Sequence, residues 1–256
     1  MKPPVDKVGD EAELGTNLPD ERLMASKTWA VSSAEETART VLDRYGTTYA
    51  DEVGIPLGDA PAPLFQLLVL AELLSARIGA GVAVATAHEL SAAGWTTPQR
   101  MRDAPRPRVV AALGRGGYRR YDERTATQLR ELGSRVLERY EGDLRGLAQE
   151  AAGDVDRAAR LLQEFNGIGP TGAAVFLREV QGVWPWAQPY LDDRARVGAR
   201  RVGLPDDVAT LAGLVSPADL PRFAAGLVRV SLMRSDPLAP ERCDGVTEPP
   251  PAQEDS

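Results

Sequence analysis

The sequence predicts an all-α protein, and three observations carry that expectation. Apolar residues recur at helical spacing through most of residues 33–235. No segment sustains the alternation of period two that marks a half-buried strand. Proline and glycine fall at intervals that would start and stop helices of ordinary length.

The elements follow in order. Residues 1–32 are polar, with scattered Pro and Gly and no sustained period, and are expected to form a disordered tail. Ser33 precedes a helix over 34–45 that ends near Gly46. Asp51 to Pro63 is rich in Gly and Pro and is expected to be a long connection. Leu64 to Ala76 is almost wholly apolar, the pattern of a helix buried on most faces. Helices over roughly 80–93, 97–103 and 106–113 follow, with Pro98, Pro105 and Pro107 placed to start or break them. Residues 119–140 give the clearest amphipathic helix, with Leu129, Leu132, Val136, Leu137 and Tyr140 on one stripe and Arg130, Glu131, Arg135 and Glu138 off it. Helices over 155–165 and 170–181 flank a glycine turn, and 190–202, 205–213 and 217–234 complete the set. Residues 236–256 carry Pro249-Pro250-Pro251 and six acids and are expected to be a second, acidic flexible tail.

Composition excludes several classes of chemistry. The chain has 256 residues, 43% hydrophobic and 26% charged, as ordinary globular proteins have. One cysteine, Cys243, and one histidine, His88, leave no intrachain disulfide, four-cysteine iron–sulfur cluster or Cys/His zinc site, so no metal or other cofactor is expected. His88 lies in an alanine-rich helix and is read as structural. No run of about 18 apolar residues occurs, so no membrane partner is expected. The Met-Lys-Pro-Pro start lacks the apolar stretch of a secretory signal, and a cytoplasmic, nucleoid-associated location is expected.

The formal charge of −7 resides wholly in the two tails, and residues 31–235 are neutral. Inside that neutral stretch, residues 100–145 hold twelve Arg against seven Asp or Glu, a local excess suited to phosphates. The only lysines are Lys2, Lys7 and Lys27, so the rest of the chain has no amine to form a Schiff base.

The most informative stretch is Asn166-Gly167-Ile168-Gly169-Pro170-Thr171-Gly172. Gly167 can take the left-handed conformation that ends one helix, and Gly169 can turn the chain tightly into the next. Pro170 suits the first turn of that second helix, Ile168 would plug the core, and the free N–H groups would face an anion such as a DNA phosphate.

With this turn the chain resembles the endonuclease III-like superfamily of helix-hairpin-helix DNA glycosylases, from about Leu57 to Leu204. Leu73-Leu74-Ser75-Ala76-Arg77 is similar to the family's Leu-Leu-Ser-Ala-Gln segment, with Arg77 in place of the glutamine that enters the gap left by an extruded base. Gly117-Tyr118 and the helix after it resemble the family's Gly-Tyr/Leu stretch. Leu191-Asp192-Asp193-Arg194-Ala195-Arg196-Val197 through Arg201-Val202-Gly203-Leu204 resembles the segment that carries its catalytic aspartate.

The resemblance implies a two-lobed helical fold, with a central lobe of about 64–165, a second lobe from 33–63 plus 166–235, and a cleft between them. It implies double-stranded DNA as the partner, base excision as the process, and a monomer. Asp192 is the implied catalytic carboxylate, with Asp193 as the alternative. The implied DNA contacts are Asn166, Gly167, Ile168, Gly169, Thr171, Gly172, Arg77, Tyr118, Arg119 and Arg120. Trp184, Trp186 and Tyr121 are further candidates to stack on a base, and Arg115 to meet a phosphate. In the lyase members a lysine stands where this chain has Thr171, and their cysteine-ligated cluster is missing here. A monofunctional glycosylase is therefore the leading expectation, and a non-catalytic DNA-binding protein of the same fold is the alternative.

Overall fold

The computed structural model describes residues 21–76 and 78–239. Their regular structure is helical throughout, with no strand among the described residues. The order is α1 (Glu21–Tyr45), α2 (Tyr49–Val53), α3 (Pro61–Ser75), α4 (Ala80–Ala92), α5 (Pro98–Asp103), α6 (Arg106–Arg115) and α7 (Asp122–Tyr140). Then come α8 (Arg145–Ala151), α9 (Val155–Gln163), α10 (Pro170–Val180), α11 (Asp193–Arg201), α12 (Val208–Ala212) and α13 (Leu220–Leu232), with 3-10 turns at Pro185–Ala187 and Pro217–Asp219.

Local chemistry explains most of the boundaries. Pro61, Pro98 and Pro170 open α3, α5 and α10, where a missing N–H costs nothing. Thr97, Asp154, Asp192 and Asp207 cap α5, α9, α11 and α12 by accepting the N–H three residues on.

Three expectations are corrected, and one helix was not foreseen. The first helix begins at Glu21 rather than 34, so the tail expected to be disordered to residue 32 is helical from 21; residues 1–20 lie outside the described residues, as does the acidic tail from 240. The connection expected over 51–63 contains most of α2, which Thr48 caps and left-handed Gly54 ends. The helix expected from 119 begins at Asp122, because Tyr121 adopts φ 65° and breaks the helical path. The stretch 145–151 forms α8, burying Leu147 and Ala151 with Leu144 before them, a pattern too short to stand out in sequence.

Buried apolar side chains form two clusters. One gathers α2 through α10 and runs on to Ala187; the other joins α1 to α11, α12 and α13. Residues 49–63 and 166–187 contribute to the first cluster. Helix α10 belongs to the first cluster and also packs on α13.

In the second cluster α11 and α13 approach closely at Gly198, where a Cβ would overlap the Leu227 carbonyl. Gly198→Ala is expected to destabilise the fold by about 1–3 kcal/mol, the cost of overpacking. Gly114→Ala, in α6 with open space around it, is expected to stabilise it by roughly 0.5–1 kcal/mol. Urea unfolding of the two variants checks the pair, and equal effects would contradict the close approach.

Candidate functional site

The turn between α9 and α10 is built by backbone geometry. Phe165 and Ile168 close successive turns onto the Leu162 and Phe165 carbonyls, at 3.2 and 3.1 Å. Gly167 has φ 96°, a conformation that side chains other than glycine rarely hold. Ile168 is buried, as expected, while Asn166, Gly167, Pro170 and Thr171 are exposed. Gly169 caps α10 without a side chain, and among the described residues the N–H groups of Gly167, Gly169, Thr171 and Gly172 donate to no protein acceptor. Gly172 is buried and Gly169 half-buried, so the donors open to an anion at the start of this eleven-residue helix are chiefly those of exposed Gly167 and Thr171.

Beneath this turn lies a group that sequence reading passed over. A Cβ on Gly167 would come within 2.8 Å of Glu72 Oε1. Glu72, on α3, is 5% exposed and neither carboxyl oxygen has a hydrogen-bond partner. Burial, with a smaller push from Glu131, raises its pKa to about 8. Glu131 itself accepts from Asn166 Nδ2 at 3.1 Å. A lone acid inside the apolar run of α3 was the available signal.

One side of α10 lines a cavity of about 1020 Å³. Thr171, Ala174 and Arg178 recur there at spacings of three and four, one helical stripe. The end of α3, the start of α4, the Tyr190–Arg194 segment and the end of α13 supply other walls, with Tyr49 of α2 and Ala159 and Gln163 of α9, so both apolar clusters contribute.

Asp192 is held here by three devices. Gln181, wholly buried, donates to the Tyr190 carbonyl and accepts the Tyr190 N–H, both at 2.9 Å, which pins the incoming chain to the end of α10. Asp192 Oδ1 accepts the Ala195 N–H at 2.9 Å as the cap of α11. Asp192 Oδ2 accepts from Arg178 Nη1 at 2.5 Å. Arg178 is 1% exposed, and its Nε donates to nothing. The next residue, Glu179, turns the other way and accepts the Tyr49 and Ala50 N–H groups at 3.2 and 3.0 Å; burial raises its pKa, against Arg178 and those two donors. Tyr190 also lines the cavity, and burial followed by the Asp192 charge pushes its phenol up to about 12, so it remains a donor near neutral pH.

The other expected residues divide. Asp193 lines the rim with its side chain 96% exposed and pairs with Arg196, so Asp192 is the carboxylate that the fold directs inward. Arg77 lies outside the described residues. Tyr118 is buried and accepts the Thr125 hydroxyl, leaving no ring face for a base. Trp184 is buried too, stacked on Trp186 and donating to Asp59, and is a core residue. Arg115 pairs with Glu89 at 2.6 Å. Arg119 and Arg120 are exposed beside Tyr121, which is 63% exposed with the Arg120 guanidinium 5.3 Å from its ring centre. Arg178 and Tyr190 were not anticipated, although an Arg-Glu pair within the apolar run of 173–180 is a legible signal of buried charge.

Among the described residues no group of three or more His, Cys, Asp or Glu could hold a metal ion, and no helix is long and apolar enough to cross a membrane. No protein-family model matches the chain, and no curated protein matches it.

Glu72 sets a pH dependence. Its folded-state pKa lies above the unfolded value of 4.5, so the folded chain binds the extra proton between pH 4.5 and about 8. Its contribution to stability is complete below that window and is lost as pH rises through it, at roughly 1.4 kcal/mol per pH unit. Glu72→Gln is expected to flatten that fall in denaturant unfolding across the window. Parallel slopes for the variant and the parent would contradict the buried, unpartnered carboxyl.

Proposed function

We propose that the protein is a monofunctional DNA N-glycosylase of base-excision repair, acting on double-stranded DNA as a monomer with the two-lobed fold of the helix-hairpin-helix glycosylases. The observation that carries the reading is that the Asp192 carboxylate and the first turn of α10 border one cavity. In this reading the Asn166–Gly172 turn is the hairpin that grips the strand through its free N–H groups. The damaged nucleotide leaves the stack and enters the cavity, which is the cleft between lobes. Arg119 and Arg120 meet phosphates further along the duplex.

The chemistry asked of Asp192 is modest. As the glycosidic bond breaks, positive charge grows on the sugar, and a fixed carboxylate stabilises it and orients a water. Each carboxylate oxygen has two lone pairs, so a single donor on each leaves acceptor sites on both. Thr171 stands where a lyase would place lysine, so the reaction ends at base release.

The Arg178–Asp192 pair favours a second reading, a non-catalytic DNA-binding protein of the same fold. A guanidinium bonded to the carboxylate cancels much of its field at the sugar, which weakens the stabilisation just described.

Incubation with a panel of lesion-bearing duplexes separates the two. The first reading expects free base without strand scission, no adduct trapped by borohydride, and a roughly 10²–10⁴-fold loss of rate in Asp192→Asn with helix content unchanged by circular dichroism. No base released from any duplex would leave the binding protein as the better account, and full activity in Asp192→Asn would remove Asp192 from the chemistry.

A further inference from the structure

The α9–α10 turn rests on an ionisable group that the proposed chemistry leaves unused. Helix α3 supports the turn at two glycines. A Cβ on Gly167 would meet the Glu72 carboxyl, with Oε1 at 2.8 Å and Cδ at 3.0 Å. A Cβ on Gly172 would meet the Ser75 hydroxyl at 3.0 Å and the Ala71 carbonyl at 3.5 Å. The carboxyl thus lies directly under the turn. Exposed Gly167 and Thr171 carry N–H groups that no protein acceptor takes among the described residues.

Glu72 has no cation to meet. It is the one ionisable side chain of α3, and both of its carboxyl oxygens are buried without a partner. The charge that acts on it is Glu131, an exposed residue of α7 that bonds Asn166 at the head of the turn. Helices α4 and α10, which pack on α3, bring no countercharge. On α4, His88 is exposed and Glu89 pairs with Arg115. On α10, Arg178 turns to Asp192 and Glu179 to the start of α2. Just after α9, Glu164 pairs with Arg139.

Burial, with Glu131 adding to it, keeps the carboxyl neutral up to about pH 8. Once ionised, it puts a negative charge under a turn whose outer donors suit an anion. Away from bulk water, like charges on the two sides of one turn oppose each other strongly. A buried carboxylate without donors also draws on the nearest free N–H groups, and those are what an anion needs.

We infer that Glu72 is a proton-operated control of the α9–α10 turn, which holds an anion such as a DNA phosphate while the carboxyl is protonated and releases it when the carboxyl ionises. The inference rests on reading the turn as an anion grip, and it gives that grip a regulation. Linkage is reciprocal, so a bound anion favours the protonated carboxyl and binding takes up a proton where the free chain has lost it.

The test is NMR of the full chain labelled with 13C at glutamate carboxyls and isoleucine methyls, signals that do not exchange with water. Spectra are taken from about pH 6 to 9.5 at constant ionic strength, for the free chain, with sulfate and with a DNA duplex. Sulfate keeps its charge throughout this range. Glu72→Gln identifies the Glu72 carboxyl by its loss. That carboxyl is expected to titrate near pH 8, the Ile168 methyl to follow it, and either ligand to raise the midpoint. Affinity is expected to fall about tenfold through the titration, and to stay level in Glu72→Gln. Glu131→Gln, an exposed change, is expected to lower the midpoints of titration and of binding together. Affinity that holds steady in the parent, or falls equally in Glu72→Gln, overturns the inference, as do midpoints that separate in Glu131→Gln. Sulfate binding that follows Glu72 without any duplex binding keeps this inference and loses the DNA reading. Duplex binding indifferent to Glu72 does the reverse, and a chain that binds neither ligand loses both.

Discussion

A guanidinium and a carboxylate taken out of water must find each other, and Arg178 and Asp192 do so across the join between α10 and α11. Removing one partner of such a pair costs about 3–5 kcal/mol, because the other is left buried and unpaired. The pair therefore does more than add stability. It sets where α11 begins, since the carboxylate that takes the Arg178 bond also caps that helix at Ala195. One residue further along α10, Glu179 reaches in the opposite direction and fixes the start of α2. Two consecutive buried charges thus hold three helices in register.

The placement of everything else at the site follows from α10. Its C-terminal half carries the buried charges and Gln181, which ties the returning chain at Tyr190. Its N-terminal turn carries free N–H groups and emerges from the tight bend at Gly167. Between these ends runs the stripe that walls the cavity. A single helix therefore links a surface suited to phosphates with an interior carboxylate about two turns away. In the glycosylase reading, that coupling lets a grip on the backbone deliver a base to the chemistry.

Local rules made much of this legible. The helical class, the boundaries at Pro98 and Pro170, and the buried Ile168 between two glycines all rest on interactions within a few residues. The preference for Asp192 over Asp193 came from a resemblance, and the geometry that directs Asp192 inward is tertiary. The partners of Arg178 and Glu72 were not legible, because each is set by packing between distant segments. Tyr118 and Trp184 were offered as stacking surfaces because an aromatic ring suits core and interface equally; burial assigned both to the core. The early start of α1 and the existence of α8 escaped because short or polar stretches carry too little apolar period to mark a helix.

The central claim is that the α9–α10 turn and the cavity behind it receive DNA, and binding measured against salt tests it most directly. Two duplexes, one intact and one carrying an abasic site, would be titrated by fluorescence anisotropy over a series of salt concentrations. The account predicts affinity that falls linearly on logarithmic axes as salt rises, with tighter binding of the abasic duplex at every point. Affinity that ignores salt, or identical affinity for the two duplexes, would contradict it.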